Sequence, residues 1–186
     1  MTAEDDPVPA GPFSVWLVGM RRALDGDAAS DVPCGGCTAC CTSSQFVHIG
    51  PDEADALAHI PAALQFPAPG LPEGHVVLGY DERGHCPMLV DGACSIYVHR
   101  PRTCRTYDCR VFPAAGVEVE DDKPAIAQRA ARWRFDFPAE ADRIHHEAVQ
   151  AAARFVRDRG DSVNATRLAV LAVEMHDAFL DHDDTG

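Results

Sequence analysis

Apolar residues recur three or four positions apart from Phe13 through Trp16, Leu17 and Met20 to Leu24, a spacing that predicts an amphipathic helix over 13–24 with Gly26 as its end. Gln45 to Ile49 reads as a short strand. Pro51-Asp52-Glu53 supplies the proline and the acidic first turn of a helix running to about His59. Residues 60–74 carry four prolines and two glycines and are assigned as a loop folded over the surface; His75 to Tyr80 is the next strand. From Asp81 to Pro113 turn formers crowd out any regular period, which predicts short irregular pieces held by something other than a ladder.

Helical spacing returns in the last third. Ile144, Ala148, Ala151, Ala152 and Phe155 mark one stripe, and Leu168, Leu171, Ala172, Met175 and Phe179 a second. Gly160 between them is the expected C-cap, with Asp161 or Ser162 as the next N-cap, giving a helical hairpin. The expected fold class is α+β: a small cysteine-rich, metal-centred domain of short strands and loops, covered by the N-terminal helix and the C-terminal hairpin. Its expected divisions are a disordered arm over 1–12, broken by Pro7, Pro9, Gly11 and Pro12, a cysteine-cluster domain over 13–113, and a helical extension over 114–186 packed on the same domain.

Charge narrows the partners. With 29 acidic against 16 basic residues the formal charge is −13, which opposes attraction to nucleic acid or to anionic membrane surfaces. The acidic, proline-bearing start lacks the basic and apolar regions of a secretory signal, and no apolar run approaches the roughly 20 residues that span a bilayer. The expectation is a cytoplasmic protein with reduced thiols, no nucleic-acid or membrane partner, and a protein partner left open.

Eight cysteines in 186 residues then become the feature to explain. Cys34, Cys37, Cys40 and Cys41 fall within eight positions; Cys86, Cys94, Cys104 and Cys109 are spread more widely. Disulfides would need an oxidising compartment, and a thioredoxin-like pair at Cys34 and Cys37 would need a strand before it and a helix after. Two groups of four suit the four ligands of zinc or of an iron–sulfur cluster, although spacing alone leaves open how the groups are shared. In Cys34-x2-Cys37 the two sulfurs can converge on one ion while Gly35 and Gly36 let backbone amides turn toward them. Adjacent Cys40 and Cys41 point differently and invite a mixed arrangement.

The run Cys34-x2-Cys37-x2-Cys40-Cys41, followed by Cys86-Pro87-Met88-Leu89, Gly92-Ala93-Cys94-Ser95-Ile96-Tyr97, Arg100-Pro101-x2-Cys104-Arg105 and Cys109, resembles the YkgJ family of cysteine-cluster proteins. That family is described as a zinc- or iron-chelating domain. The resemblance covers residues 34–112 and implies that all eight cysteines are candidate metal ligands. Flagellin lysine N-methylases are related to the family, so the resemblance also implies methyl transfer as an alternative. No Gly-x-Gly-x-x-Gly loop supports it in this chain.

From Ser95 to Phe112, Arg100, Arg102, Arg105 and Arg110 stand against Asp108 alone, a local charge of +3 in an acidic chain. Guanidinium groups would offset a thiolate-bound metal or capture an anion beside it, and Arg105, next to Cys104, is the candidate for that contact. His85 and His99 could each replace a cysteine in a Cys3His site, and Tyr97 and Tyr107 could donate to a thiolate. His145 and His146, adjacent on a helix, share no face. Three functional classes follow: a metal-binding module with a structural site, a metal-dependent enzyme, and an iron–sulfur electron-transfer or redox-sensing protein.

Overall fold

A computed structural model describes residues 6–26, 32, 34, 36–160 and 163–180. In chain order the elements are β1 (Val8–Pro12), α1 (Phe13–Leu24), β2 (Val47–Ile49), α2 (Ala54–His59), β3 (Phe66–Pro67), β4 (Val76–Leu78), β5 (Leu89–Val90) and β6 (Ala93–Cys94). There follow α3 (Arg102–Thr106), α4 (Val111–Ala115), α5 (Pro124–Arg132), β7 (Trp133–Asp136), α6 (Glu140–Asp158) and α7 (Ala165–Met175). The fold is α+β with a cysteine-rich domain, as expected. Among the described residues no helix is long and apolar enough to cross a membrane.

The chain divides into two compact units, one of Met1–Ala28 with Cys109–Gly186 and one of Ala29–Asp108. This differs from the expected cut at 113/114: α1 belongs with the C-terminal helices, because its apolar face has its partners there. Phe13 is fully buried, with its ring 5.0 Å from that of Phe135 and 4.8 Å from His146. Trp16, Leu17 and Met20 are buried beside it, as the spacing predicted.

The expected arm is a strand over Val8–Pro12, while residues 1–5 of it lie outside the described residues. β1 pairs in parallel with β7, a two-stranded ladder in which prolines are tolerated because each strand needs hydrogen bonds on one edge only. Arg110 Nη1 donates to the Ala10 carbonyl at 3.2 Å, and Arg132 Nε to that of Asp6 at 2.9 Å.

α6 and α7 form the expected hairpin, but the buried stripe of α6 is rotated. Ala148, Val149, Ala152, Ala153 and Val156 are inside, whereas Ile144 and Phe155 are more than two-fifths exposed. Small residues decide this: Ala152, Ala169 and Ala172, all fully buried, let the two backbones approach closely, and the bulkier positions flank the contact. The predicted caps Asp161 and Ser162 lie outside the described residues, and the α7 N-cap is Asn164, whose side chain accepts from the Arg167 amide at 2.8 Å.

One carboxylate joins two helix starts in this unit. Asp142 Oδ1 accepts from the Ser14 amide at 2.8 Å in the first turn of α1, and Oδ2 from the Ala139 amide at 2.9 Å at the start of α6. These donors hold the Asp142 carboxyl below the ordinary carboxylate range. A depressed folded value means that the stabilisation is present above the unfolded value of about 4 and is lost as pH falls through the lower folded one. Asp142→Asn is therefore expected to lower the thermal midpoint at pH 7, with the gap to the parent protein closing as the pH of the melts is taken below about 4.

Candidate metal centre

The Ala29–Asp108 unit is built from very short elements. β2, β4 and β3 form an antiparallel sheet, so the segment expected to be loop contributes a strand at Phe66–Pro67. Its apolar core consists of Val47, Ile49, Ala56, Ile60, Leu78, Met88 and Ile96. Three thiols, Cys86, Cys94 and Cys104, pack directly against that core.

Each cysteine is placed by local chemistry. The Cys34-x2-Cys37 segment closes a turn in which the Cys37 amide donates to the Cys34 carbonyl at 2.8 Å; Gly35, predicted to help that turn, lies outside the described residues. Cys40 and Cys41 open a 3-10 turn. The Cys86 amide donates to the Cys41 carbonyl at 2.7 Å, and the Ser44 amide to that of Gly84 at 2.9 Å, so the backbone itself ties the first cysteine group to the second. Gly84 has φ +80°, and a Cβ there would fall 2.3 Å from Ser44 Oγ, so this crossing requires glycine.

After Cys86 the chain turns back as a hairpin, β5 to β6, through Asp91 and Gly92, both at positive φ, which is the two-residue turn that matches strand twist. That hairpin sets Cys94 opposite Leu89. Amides of Met88 and Leu89 donate to the Cys86 sulfur and partly offset the effect of burial, which raises its pKa. Cys104 sits in α3, whose first amide, that of Arg102, donates to Glu53 Oε1. Glu53 is buried and also accepts from the Gly50 amide at 2.8 Å, while Thr103 Oγ1 donates to the His48 carbonyl of β2 at 2.7 Å.

The thiols act on one another. Burial pushes Cys41 up to about 11, with Cys86, Cys94, Cys34 and Cys37 adding to the rise. Burial likewise pushes Cys104 up to about 12, reinforced by Cys86, Cys41 and Cys94 and opposed by Arg100. Six thiols thus share one electrostatic neighbourhood, in which a bound cation would favour the thiolate forms.

Cys109 also has a placed partner. It belongs to the other unit, where its buried sulfur accepts from Trp133 Nε1 at 3.1 Å. The arginines disperse as well. Arg102 pairs with Asp52, and Arg110 lies beside Ala10 and the Trp133 ring. Arg105 is exposed, with its charge acting on Asp55. A guanidinium whose charge acts on Cys104 is that of Arg100, held 3.7 Å over the Tyr97 ring with a buried Nε that has no hydrogen-bond partner. Sequence proximity to Cys104 favoured Arg105, but a five-residue helix turns that side chain outward, while the residue ahead of Pro101 lies inward. His99 pairs with Asp55, whereas His85 closes a backbone turn with Asp81.

The donor set fits a thiophilic metal: several half-buried sulfurs, amide donors on one of them, and a buried guanidinium N–H without a partner. A family model for CxxCxxCC, described as a putative zinc- or iron-chelating domain, matches residues 33–125, half of the chain. No curated protein and no solved structure matches the chain.

At pH 7 thiols raised to about 11 and 12 hold their protons, so a metal must displace them. Metal uptake by the metal-free protein is expected to release protons into a weakly buffered solution, and the apparent affinity to fall as pH is lowered; titration with a pH indicator and a competing chelator measures both. Glu53→Ala, which removes the acceptor that seats α3, is expected to weaken metal retention by about tenfold in the same chelator competition.

Proposed function

The chain belongs to the CxxCxxCC family of putative zinc- or iron-chelating domains, and from that premise we propose that its Ala29–Asp108 unit chelates a metal through Cys41, Cys86, Cys94 and Cys104, in a role that is structural first. The observation that carries this reading is the place of the thiols in the core. Cys86, Cys94 and Cys104 pack where larger apolar side chains would otherwise complete a cluster that has seven buried members among the described residues. Strands of two or three residues add few ladder bonds, and a small unit of this kind gains order from a metal that its unfolded chain cannot hold. When bound, the metal supplies cross-links among four segments of the chain. The protein's own residues do the rest: the Met88 and Leu89 amides stabilise the Cys86 thiolate, Arg100 offsets negative charge at Cys104, and Glu53 fixes the helix that carries it.

Cys34, Cys37 and Cys40 lie outside this set of four. Their surplus favours a second reading, an iron–sulfur centre with a redox role, over a site for zinc alone. Metal analysis with a visible spectrum of anaerobically purified protein separates the two. Zinc gives a colourless preparation, and a cluster a brown one that bleaches on reduction. Metal-free yet fully folded protein would overturn the proposal.

The ligand set makes a sharper expectation. Cys104→Ser is expected to lose the metal and, with it, the cooperative unfolding of the Ala29–Asp108 unit. Cys109→Ser is expected to keep the metal content, with a stability loss of about 1 kcal/mol from burying a smaller, more polar hydroxyl where the thiol packs. Metal analysis and chemical denaturation of the two variants, side by side, test both statements.

A further inference from the structure

We propose that Asp55, His59 and His99 form a second metal site, one that takes a single divalent transition ion at the protein surface. The inference is independent of the thiol centre, since none of its ligands is a cysteine. Asp55 and His59 are four residues apart on α2 and so lie on one face of it. His99 ends the 3-10 turn Tyr97–His99 and stacks on His59, with ring centroids 3.5 Å apart and planes 7° from parallel.

One ligand atom from each of the three side chains falls within 4.8 Å of the others. Asp55 Oδ2 is 2.8 Å from His99 Nδ1, and Oδ1 is 3.7 Å from His59 Nδ1. Ligands bonded at about 2.1 Å around a zinc-sized ion stand about 3.0–3.4 Å apart, so the trio closes on an ion through small side-chain turns. One turn is obligatory. The nitrogen lone pairs lie in the ring planes, and two parallel rings cannot aim them at one point, so binding swings an imidazole out of the stack. Asp55 and His59 are exposed and His99 half-buried, which leaves room for that motion. His59 Nδ1 exchanges its 2.8 Å contact with the Asp55 carbonyl for the metal.

The donors set the class of ion. Two imidazoles and one carboxylate suit zinc, nickel, cobalt or ferrous iron; calcium and magnesium prefer all-oxygen sites, and cuprous ion prefers sulfur. The charge of Arg105 also acts on Asp55, and selection among ions comes from the ligand types. Three protein ligands leave positions open to water or a further ligand, in contrast to a closed four-thiolate site.

The probe is Zn2+, which is diamagnetic and leaves imidazole resonances observable. It is added to the full chain as purified under reducing conditions, with its resident metal content measured beforehand. One additional equivalent is expected to bind, shifting the ring-nitrogen signals of His59 and His99 together while those of His48 and His75 stay in place. Binding of that equivalent is expected to weaken at least about tenfold in His59→Gln and in His99→Gln. Asp55→Asn, at another exposed position, gives the same reading if His99→Gln fails to fold by circular dichroism. Absence of the additional equivalent, equal binding by the variants, or shifts confined to other histidines would overturn the site. Failure of the thiol reading is seen separately, as missing resident metal before any Zn2+ is added.

Discussion

In the Ala29–Asp108 unit protons and any bound cation compete for the same half-buried sulfurs. Cys41 and Cys104 are desolvated and lie in each other's field, so ionising either without a counter-ion is costly, and both are pushed far above the ordinary thiol range. In the protonated state the thiols are weak hydrogen-bonding groups that pack much as small apolar side chains do. They line a core that has few residues of its own. A metal would replace several protons by one multivalent contact and convert loose packing into fixed distances.

The two units solve the same problem by different means. In the unit that holds α1, α6 and α7, long helices bury continuous apolar faces, and the polar cost of their starts is met by Asp142 and Asn164. Cys109 in that unit is buried, and its sulfur accepts from the Trp133 indole. In the thiol unit the elements are too short for such faces, and backbone crossings stand in for them. The Cys86 amide on the Cys41 carbonyl and the Ser44 amide on that of Gly84 hold two distant segments in register. Glu53 then fastens α2 to the first amide of α3. Every one of these ties ends within a few residues of a cysteine or on the element that carries one.

What the sequence made legible follows from periodicity and chemistry confined to one segment. The α1 stripe from Phe13 to Met20 lies where the spacing put it, and the cysteine run marks the matched family. β1 was hidden because two prolines and a glycine in five residues look like a breaker, and only its pairing with Trp133–Asp136 turns them into an edge strand. The α6 face was misplaced because alanines satisfy several stripes equally, and the choice among them is made by the alanines of α7. Arg100 was passed over for Arg105 since adjacency in sequence says nothing about which side of a short helix faces the thiols. Asp55, His59 and His99 could not be joined at all, for 40 residues separate the last two, and no local pattern links them.

The proposed sites are not mechanically separate. α2 sends Ala56 into the thiol-lined core and presents Asp55 and His59 to solvent, so one short helix belongs to both. His99 lies on the stretch between Cys94 and Cys104, two of the proposed thiol ligands. Fixing those two sulfurs on one metal shortens the freedom of the nine residues between them, the 3-10 turn included. Glu53, at the start of α2, grips α3 next to Cys104, which completes a closed loop of contacts from the thiols through α3 and α2 to the histidine stack. A metal on those sulfurs would therefore also steady the surface trio, although the trio's own ligands include no cysteine. On the proposed reading, closed thiolate coordination would organise this unit, and the open nitrogen–oxygen site would stand on an element that such coordination holds in place.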